Sequence, residues 1–228
     1  MTTVPEGAPA PAELPPDAVP ATGQIPADVL AEVEAMATMP ATDVEAPKLP
    51  RVGPTRTIGV AIAIPEPYAA KLQALRHAAG DPDAAIVPPH VTFVPPTEID
   101  ESELSAVEEH LAQVAQRHGP FDLHLAGPGT FAPVSRVVFA QVASGISHCE
   151  QVEVDIRSGP LERAPVFPYH PHVTVAHDVP QDQLDGAYAS LSDFEVRLQV
   201  QAFTMFERDE SGAWRSRRVF PLDGDTVT

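Results

Sequence analysis

The sequence predicts an α+β fold made of two copies of one structural unit, related by a pseudo-twofold axis. First, a β-branched strand, an amphipathic helix and a second strand beginning His-Val-Thr follow one another twice along the chain. Second, the spacing in the two copies is nearly equal, because Ile58 precedes His90 by 32 residues and Val137 precedes His172 by 35. Third, the chain closes on a long hairpin, which favours antiparallel pairing.

The first unit covers about residues 57–119. In order, it is predicted to form a strand, an amphipathic helix, a strand and an acidic helix, over residues 57–64, 66–80, 90–94 and 100–119. In the first helix, Tyr68, Leu72 and Leu75 recur at positions i, i+4 and i+7, so they share one face. Gly80 ends this helix, and a proline pair leads into the second strand.

The second unit covers about residues 136–191 and has the same order. It is predicted to form a strand over 136–142, a helix around 145–157, a proline-rich approach with a strand within 164–178, and a helix over 181–191. Further strands are predicted at 120–127, 193–209 and 213–222. The last two flank "ESG", which is typical of a hairpin turn.

The N-terminal segment, residues 1–55, is predicted to be a disordered acidic tail, which leaves residues 56–228 as the folded domain. Residues 1–50 contain ten of the chain's 27 prolines, eight carboxylates, one lysine and no aromatic residue. Such a segment cannot bury enough apolar surface to offset the conformational entropy lost on ordering. Within the tail, apolar residues recur at helical spacing over residues 27–39, which indicates a short helix there.

Charge and cysteine content exclude several classes of protein. Residues 51–228 carry 13 basic and 24 acidic side chains, a net charge of −11, which is the opposite of a general nucleic-acid binder. Cys149 is the single cysteine, so an internal disulfide and a cysteine-rich metal site are excluded. The N-terminal stretch lacks the basic start and apolar core of a signal peptide, and no apolar run approaches the ~20 residues of a membrane span. We expect a cytoplasmic monomer with no membrane association.

The two His-Val-Thr stretches are the strongest candidates for chemistry. Successive side chains of a strand point to opposite faces, so His90 and Thr92 share one face, and so do His172 and Thr174. A pseudo-twofold axis would bring two imidazoles and two hydroxyls to one cleft, which suits a phosphate ester. One neutral imidazole can accept a proton from the attacking oxygen, and the other, as imidazolium, can protonate the leaving oxygen. The hydroxyls can donate to phosphate oxygens, and no metal is required.

These residues resemble the 2H phosphoesterases, in particular the branch of 2′-5′ RNA ligases and RNA 2′,3′-cyclic phosphodiesterases. The resemblance rests on "PPHVTFV" (88–94) and "HPHVTVAH" (170–177), and it extends over roughly residues 57–222. It implies a bilobal fold in which antiparallel sheets flank a central cleft, with helices on the outside. It also implies that His90 and His172 are the catalytic pair and that Thr92 and Thr174 contact the phosphate. It implies no cofactor and no metal.

The resemblance further implies hydrolysis of an RNA 2′,3′-cyclic phosphate or a 2′-5′ phosphodiester bond, with RNA joining as the reverse reaction. RNA-processing members tend to carry a basic groove, so an acidic domain is expected to take a small RNA end, a cyclic nucleotide or a 2′-5′ oligonucleotide. Candidate substrate contacts are Phe131, Arg136, His170 and Arg217. Because side chains alternate between the two faces of a strand, Arg217 is predicted to share a face with Arg215, and Arg218 is predicted to lie on the opposite face.

Three histidines fall within "YHPHVTVAHD" (169–178), a pattern that also suggests a metal site. Strand parity argues against it, because His177 has the opposite parity to His172 and is expected to face away from the cleft, on the surface. Pro171 marks the start of the strand and separates His170 from it. No metal site is therefore predicted. Two alternatives stay open, a 2H hydrolase of a small cyclic nucleotide or metabolite phosphodiester, and a non-catalytic nucleotide-binding module.

Overall fold

A computed structural model describes residues 53–164 and 167–224. In chain order its longer elements are β1 (Thr55–Ala63), α1 (Tyr68–Ala78), β2 (His90–Asp100), α2 (Leu104–Ala115), β3 (Phe121–Thr130), β4 (Val137–Ser144), α3 (Ile146–Ile156), β5 (His172–His177), α4 (Gln181–Ser190), β6 (Glu195–Val200), β7 (Ala202–Arg208) and β8 (Trp214–Pro221). Short 3-10 turns lie at Pro82–Ala85, Glu101–Glu103 and Gly159–Leu161. The predicted tail lies outside the described residues, apart from its last three, and so does the helix predicted over 27–39.

The strands form two four-stranded sheets in which every pair is antiparallel. The first sheet has the order β2-β1-β7-β8, and the second has the order β5-β4-β3-β6. The order β1-α1-β2-α2 in the first half of the chain recurs as β4-α3-β5-α4 in the second. The predicted α+β class with a duplicated, bilobal organisation is therefore confirmed.

The closing strands are shared between the two lobes, which corrects one sequence expectation. Residues 193–209, expected as one strand, form β6 and β7 on either side of Gln201. β6 pairs with β3 in the second sheet, whereas β7 pairs with β1 in the first. Polar and apolar residues alternate from Glu195 to Ala202, across Gln201, and the alternation ends only at Phe203, so the pattern does not mark where the chain changes sheets.

The core forms from the apolar faces that the strand and helix patterns predict. Val91, Phe93, Val173 and Val175 are at most 2 % exposed, as expected for the face opposite the two threonines. On α1, Leu72 is fully buried, while the two residues predicted to share its face pack against the core from the rim. Burial of these side chains removes apolar surface from water and stabilises each lobe.

The two lobes meet along the motif strands. β2 and β5 are edge strands of their sheets, and they contact each other. Helix α1 of the first lobe contacts β5, and α3 of the second contacts β2. The ring of Phe93 on β2 also stacks on Tyr169, just before β5, with 6.4 Å between centroids. The two His-Val-Thr strands therefore come together at the centre of the molecule.

Candidate active site

Each motif strand presents its histidine and threonine on the side that is not packed into the core. His90, Thr92, His172 and Thr174 are all half-buried, and the valine between each pair is fully buried. This is the arrangement that the two-residue period of a strand predicts. The polar groups can therefore reach a ligand without an uncompensated burial cost.

A β-bulge follows the threonine in both strands and redirects what comes next. In the second lobe, Thr174 pairs with Phe139 and Ala176 pairs with Val138, so Val175 is an extra residue. As a result, Val175 and Ala176 are both buried, and His177 turns to the side of Thr174. A bulge of this kind re-aims the side chains beyond it.

The prediction that His177 faces away from the cleft is therefore wrong. His177 is exposed and lines a cleft together with His90 and Thr174. Its Nε2 lies 3.2 Å from Oδ2 of Asp178. The two consecutive apolar residues "VA" before it were the sequence signal that strict alternation had ended.

Both motif histidines are held by the same backbone hydrogen bond. Nδ1 of His90 lies 2.7 Å from the carbonyl oxygen of Pro88, and Nδ1 of His172 lies 2.7 Å from that of His170. A carbonyl can only accept, so Nδ1 is the donor in both rings. In the neutral imidazole, the other nitrogen, Nε2, therefore carries the lone pair.

Burial lowers the pKa of both imidazoles below the ordinary 6.5. The pKa of His172 falls to about 4, because desolvation disfavours the imidazolium and because His170 and His90 add like-charge repulsion. Desolvation is also the main cause for His90, whose pKa is lowered further by the nearby guanidinium of Arg76. Both rings are therefore mainly neutral at pH 7 in the unliganded protein.

Side chains from both repeats line one cleft. It has a volume of about 220 Å³ and is lined by Arg76, Asp81, Asp83, Val87, His90, Thr174 and His177. A second cleft, of about 230 Å³, runs from His90 and Thr92 across the first sheet. His90 lines both, so it stands where the two clefts meet.

A buried ion pair beneath His90 was missed by the sequence analysis. The Nε of Arg76 donates to Oδ2 of Asp81 at 3.1 Å, and the side chains are only 4 % and 0 % exposed. Nη1 of the same guanidinium donates to the carbonyl of Val87 at 2.5 Å, and so fixes the segment that leads to His90. The signal in the sequence was an arginine four residues after Leu72, on the apolar face of α1.

Aromatic rings surround the second motif histidine. The ring of His172 is edge-on to Phe131, at 4.9 Å between centroids, and tilted against Phe139, at 5.0 Å. His170 is exposed and also lies edge-on to Phe131, at 5.7 Å. Two of the predicted substrate contacts, Phe131 and His170, therefore lie beside His172.

The two predicted arginine contacts are engaged elsewhere. Arg136 is exposed and donates through Nη2 to the carbonyl of Val179 at 2.5 Å. Arg217 binds Glu108 and Glu207, each at 2.8 Å. Its guanidinium is therefore held by two carboxylates, and we do not place Arg217 at the site. The residues that line the two clefts include neither Arg217 nor His172.

One part of the prediction for the closing arginines is also wrong, because Arg218 was expected on the face opposite Arg217. A register shift between Met205 and Phe206 in the β7–β8 pairing lets neighbouring Arg217 and Arg218 reach the two oxygens of one carboxylate, Glu108. Arg215 instead binds Asp209 at 2.9 Å. As in β5, an irregularity in strand pairing changed which side chains share a face.

Other reactive groups lie away from this arrangement. Within residues 53–164 and 167–224, no three His, Cys, Asp or Glu side chains come together so as to hold a metal ion. Cys149 is buried, and burial raises the pKa of its thiol to about 12, so it is not a reactive nucleophile. In the part of the chain that is described, no helix combines the length and apolar character needed to cross a membrane.

A bilobal α+β fold whose repeats each bring a His-x-Thr strand to the lobe interface defines a class of duplicated, two-histidine proteins. The sequence profile of the 2′-5′ RNA ligase superfamily matches residues 64–212. This covers more than half of the chain. The protein therefore belongs to the 2′-5′ RNA ligase superfamily, a group of 2H phosphoesterases.

Relatives of similar sequence agree with this assignment. A Bacillus licheniformis protein named "Putative phosphoesterase" is 30 % identical over 144 residues, which span 62 % of this chain and 85 % of the relative. A protein of Oceanobacillus iheyensis with the same description is 28 % identical over 148 residues, 65 % of this chain and 80 % of its own.

The similarity to solved structures extends over nearly the whole of each of them. LigT of E. coli has a TM-score of 0.53 and 18 % identity, over 75 % of this chain and 99 % of LigT. A protein of Thermus thermophilus has a TM-score of 0.54 and 21 % identity, over 74 % of this chain and 99 % of its own. At these identities the likeness concerns the fold.

Proposed function

We propose that this protein is a metal-independent phosphodiesterase that hydrolyses a 2′,3′-cyclic phosphate, on an RNA end or a nucleotide, or a 2′-5′ phosphodiester bond. The observation that carries the proposal is that His90 and His172 have equivalent hydrogen bonds and lowered pKa values. Each is oriented through Nδ1 by the carbonyl two residues earlier, and each has a lowered pKa. Two such imidazoles supply one base and one acid.

The proposed reaction is an in-line displacement at phosphorus. Nε2 of one histidine accepts a proton from water as the water oxygen bonds to phosphorus. The bond from phosphorus to the ribose oxygen breaks, and the other histidine, as imidazolium, gives its proton to that oxygen. Thr92 and Thr174 donate hydrogen bonds to the non-bridging oxygens and hold the phosphate between the imidazoles. Joining of RNA ends would be the same displacement with the 5′-hydroxyl of a second RNA attacking the cyclic phosphate in place of water.

Charge and cleft size favour a small substrate. Residues 51–228 carry a net charge of −11, which disfavours long RNA, because its binding depends on neutralising many phosphates. The cleft lined by His90 and Thr174 also contains Arg76, whose guanidinium is paired with Asp81, so threonine hydroxyls and an imidazolium, rather than a free arginine, would hold one phosphate. E. coli LigT has been crystallised with NADP+ and with 3′-AMP, and these ligands are also nucleotides. A small cyclic nucleotide or metabolite phosphodiester is therefore the second candidate substrate class.

Product analysis on a small panel tests the proposal. The panel comprises a nucleoside 2′,3′-cyclic phosphate, a 2′-5′ dinucleotide and a cyclic dinucleotide. We expect hydrolysis of the first or second, unchanged after dialysis against EDTA. Loss of activity with EDTA, restored by a divalent ion, would show that the two histidines do not suffice. Nucleotide binding without turnover of any panel member would favour the non-catalytic module.

The rate is expected to depend on pH in a bell shape centred below pH 6.5. The base must be neutral, so activity falls as pH drops through its pKa, and the acid must be protonated, so activity falls as pH rises through its own. Since the pKa of His172 is about 4 and that of His90 is also lowered from 6.5, both limbs of kcat/KM lie on the acidic side. A plateau of kcat/KM extending above pH 8 would contradict a role for an imidazolium donor.

A further inference from the structure

The cleft that runs from His90 and Thr92 across the first sheet contains two aromatic rings. Phe206, on β7, is 9 % exposed, and Trp214, the first residue of β8, is half-buried. Both line this cleft of about 230 Å³ together with His90 and with prolines and valines of the first lobe. An apolar space with a few polar groups at its edge is the usual form of a small-ligand site.

Gly59 allows the indole of Trp214 to pack closely against the first sheet. A Cβ built on Gly59 would lie 3.3 Å from Cζ3 of Trp214 and 3.6 Å from Cη2. The absence of a side chain on β1 thus lets the six-membered ring lie directly against the strand. Gly59 is also the strand partner of Phe206. The two rings therefore lie on one surface of the cleft. We call the part of the cleft formed by Gly59, Asp83, Phe206 and Trp214 the indole pocket.

The indole pocket is firmly connected to the segment that carries the first histidine. The backbone N–H of Trp214 donates to the carbonyl of Ile86 at 3.1 Å. Ile86 follows the 3-10 turn that contains Asp83, and Arg76 holds the next residue, Val87. The position of the indole relative to His90 is thus set by hydrogen bonds to one short stretch of backbone.

Beside His172, side chains of the protein occupy the space that is equivalent to the indole pocket beside His90. Phe131 and Phe139 lie 4.9 and 5.0 Å from the His172 ring, and His170 stacks 6.3 Å away. His90 therefore opens onto an aromatic pocket with room for a ligand, whereas rings of the protein pack against His172. This difference breaks the pseudo-twofold symmetry that the sequence repeats suggest.

We propose that the indole pocket binds the nucleobase of the substrate by stacking on Trp214, an inference that rests on the proposed function. Every base has a π face, so such stacking tolerates different bases. The volume of about 230 Å³ is below the roughly 300–1,000 Å³ of drug-sized sites, so it suits one nucleoside rather than a stacked oligonucleotide. The substrate is then a nucleotide or the terminal nucleotide of an RNA.

Asp83 orients the nucleoside within the indole pocket. Asp83 lines both clefts, and a carboxylate accepts hydrogen bonds but cannot donate them. It can therefore accept from ribose hydroxyls or base N–H groups of a nucleoside in the indole pocket. The phosphate is placed on the side of His90 where Thr174 lies.

This placement assigns the two histidines their roles. With the nucleoside in the first lobe, the leaving ribose oxygen lies towards His90 and the attacking water towards His172. The water gives its proton to Nε2 of His172 as its oxygen bonds to phosphorus. The ribose oxygen leaves phosphorus with the bonding electron pair and takes the proton of the His90 imidazolium.

Tryptophan fluorescence tests binding without relying on turnover, because Trp214 is the single tryptophan of the chain. Titration of the wild-type protein with adenosine 2′-monophosphate is expected to quench the emission. Inorganic phosphate, which has no base, is expected to leave the emission nearly unchanged. Equal responses to both ligands, or no response to the nucleotide at saturating concentration, would overturn the indole pocket.

Activity measurements separate the nucleobase from the phosphate. Trp214→Ala is expected to lower kcat/KM for a nucleoside 2′,3′-cyclic phosphate roughly 10- to 100-fold. The loss should be at least several-fold smaller for methyl riboside 2′,3′-cyclic phosphate, which lacks a base. Trp214→Phe should restore most of the activity, and Gly59→Val, which displaces the indole, should resemble Trp214→Ala. Tyr188→Ala, an exposed aromatic on α4, is the matched control and should behave like wild type.

Failure of this inference can be told from failure of the proposed function. If the wild type hydrolyses both cyclic phosphates and Trp214→Ala lowers both equally, the phosphodiesterase stands and the nucleobase pocket is wrong. If adenosine 2′-monophosphate quenches Trp214 but the wild type hydrolyses neither the two cyclic phosphates nor a 2′-5′ dinucleotide, the pocket stands and the proposed reaction is wrong.

Discussion

His90→Ala and His172→Ala are each expected to lower kcat for a nucleoside 2′,3′-cyclic phosphate at least 100-fold. Each substitution removes one of the two proton transfers, while the half-buried position of the rings leaves the core intact. Because both groups act in a single step, the double variant should lose little more than the more damaged single variant. Steady-state kinetics on the two single variants and the double variant measure this.

The control for these substitutions is His77→Ala. His77 is an exposed residue of α1 that lines neither cleft, so its removal should leave kcat within about twofold of wild type. Circular dichroism and melting temperature should be unchanged in all variants. If either His90→Ala or His172→Ala retains near wild-type kcat, the assignment of the pair is wrong.

Asp81→Asn is expected to produce the largest loss of stability among substitutions near the site. It keeps the oxygen that accepts from the N–H of Asp83 but removes the charge that compensates the buried guanidinium of Arg76. Breaking a buried ion pair in this way costs about 3–5 kcal/mol of unfolding free energy. For a domain of this size, the melting temperature should fall by roughly 10 °C. Denaturant unfolding monitored by circular dichroism measures the change.

The matched control is an exposed ion pair of the same type. Arg197 lies 3.2 Å from Glu195, and the side chains are 71 % and 62 % exposed. Glu195→Gln should cost less than about 1 kcal/mol of unfolding free energy, because solvent screens the pair. Similar losses for Asp81→Asn and Glu195→Gln would show that the Arg76 pair is far weaker than its burial indicates. Activity of Asp81→Asn, measured well below its melting temperature, should also fall, because Arg76 positions the segment before His90.

The local patterns were enough to predict most secondary-structure elements and the faces they bury. Helices α1 to α4 were expected within a few residues of their observed bounds, and for α1 the apolar residues recur at helical spacing up to Gly80. The faces of β2 and β5 were correct as far as each threonine. This part of the fold depends on interactions within a few residues, and such interactions are visible in the chain itself.

Errors arose where strand pairing departs from a regular ladder. The bulge at Val175 turned His177 towards the cleft, and the register shift in β7–β8 brought Arg217 and Arg218 to one carboxylate. Strict alternation assigns these residues to the wrong faces. A bulge is set by the partner strand as well as by its own residues, so two consecutive apolar residues such as Val175 and Ala176 signal that alternation ends but do not fix where the next side chains point.

By itself, the sequence determined the duplicated α+β organisation, the two His-Val-Thr strands and the faces on which their side chains lie, because these follow from the periods of strands and helices. The tertiary structure decided which strands the lobes exchange, that Arg76 is buried beneath His90, and that an open aromatic pocket adjoins His90 while His172 is enclosed by Phe131 and Phe139. These features depend on contacts between residues far apart in the chain. No local pattern encodes such contacts, because each exists only once both partners have been packed together.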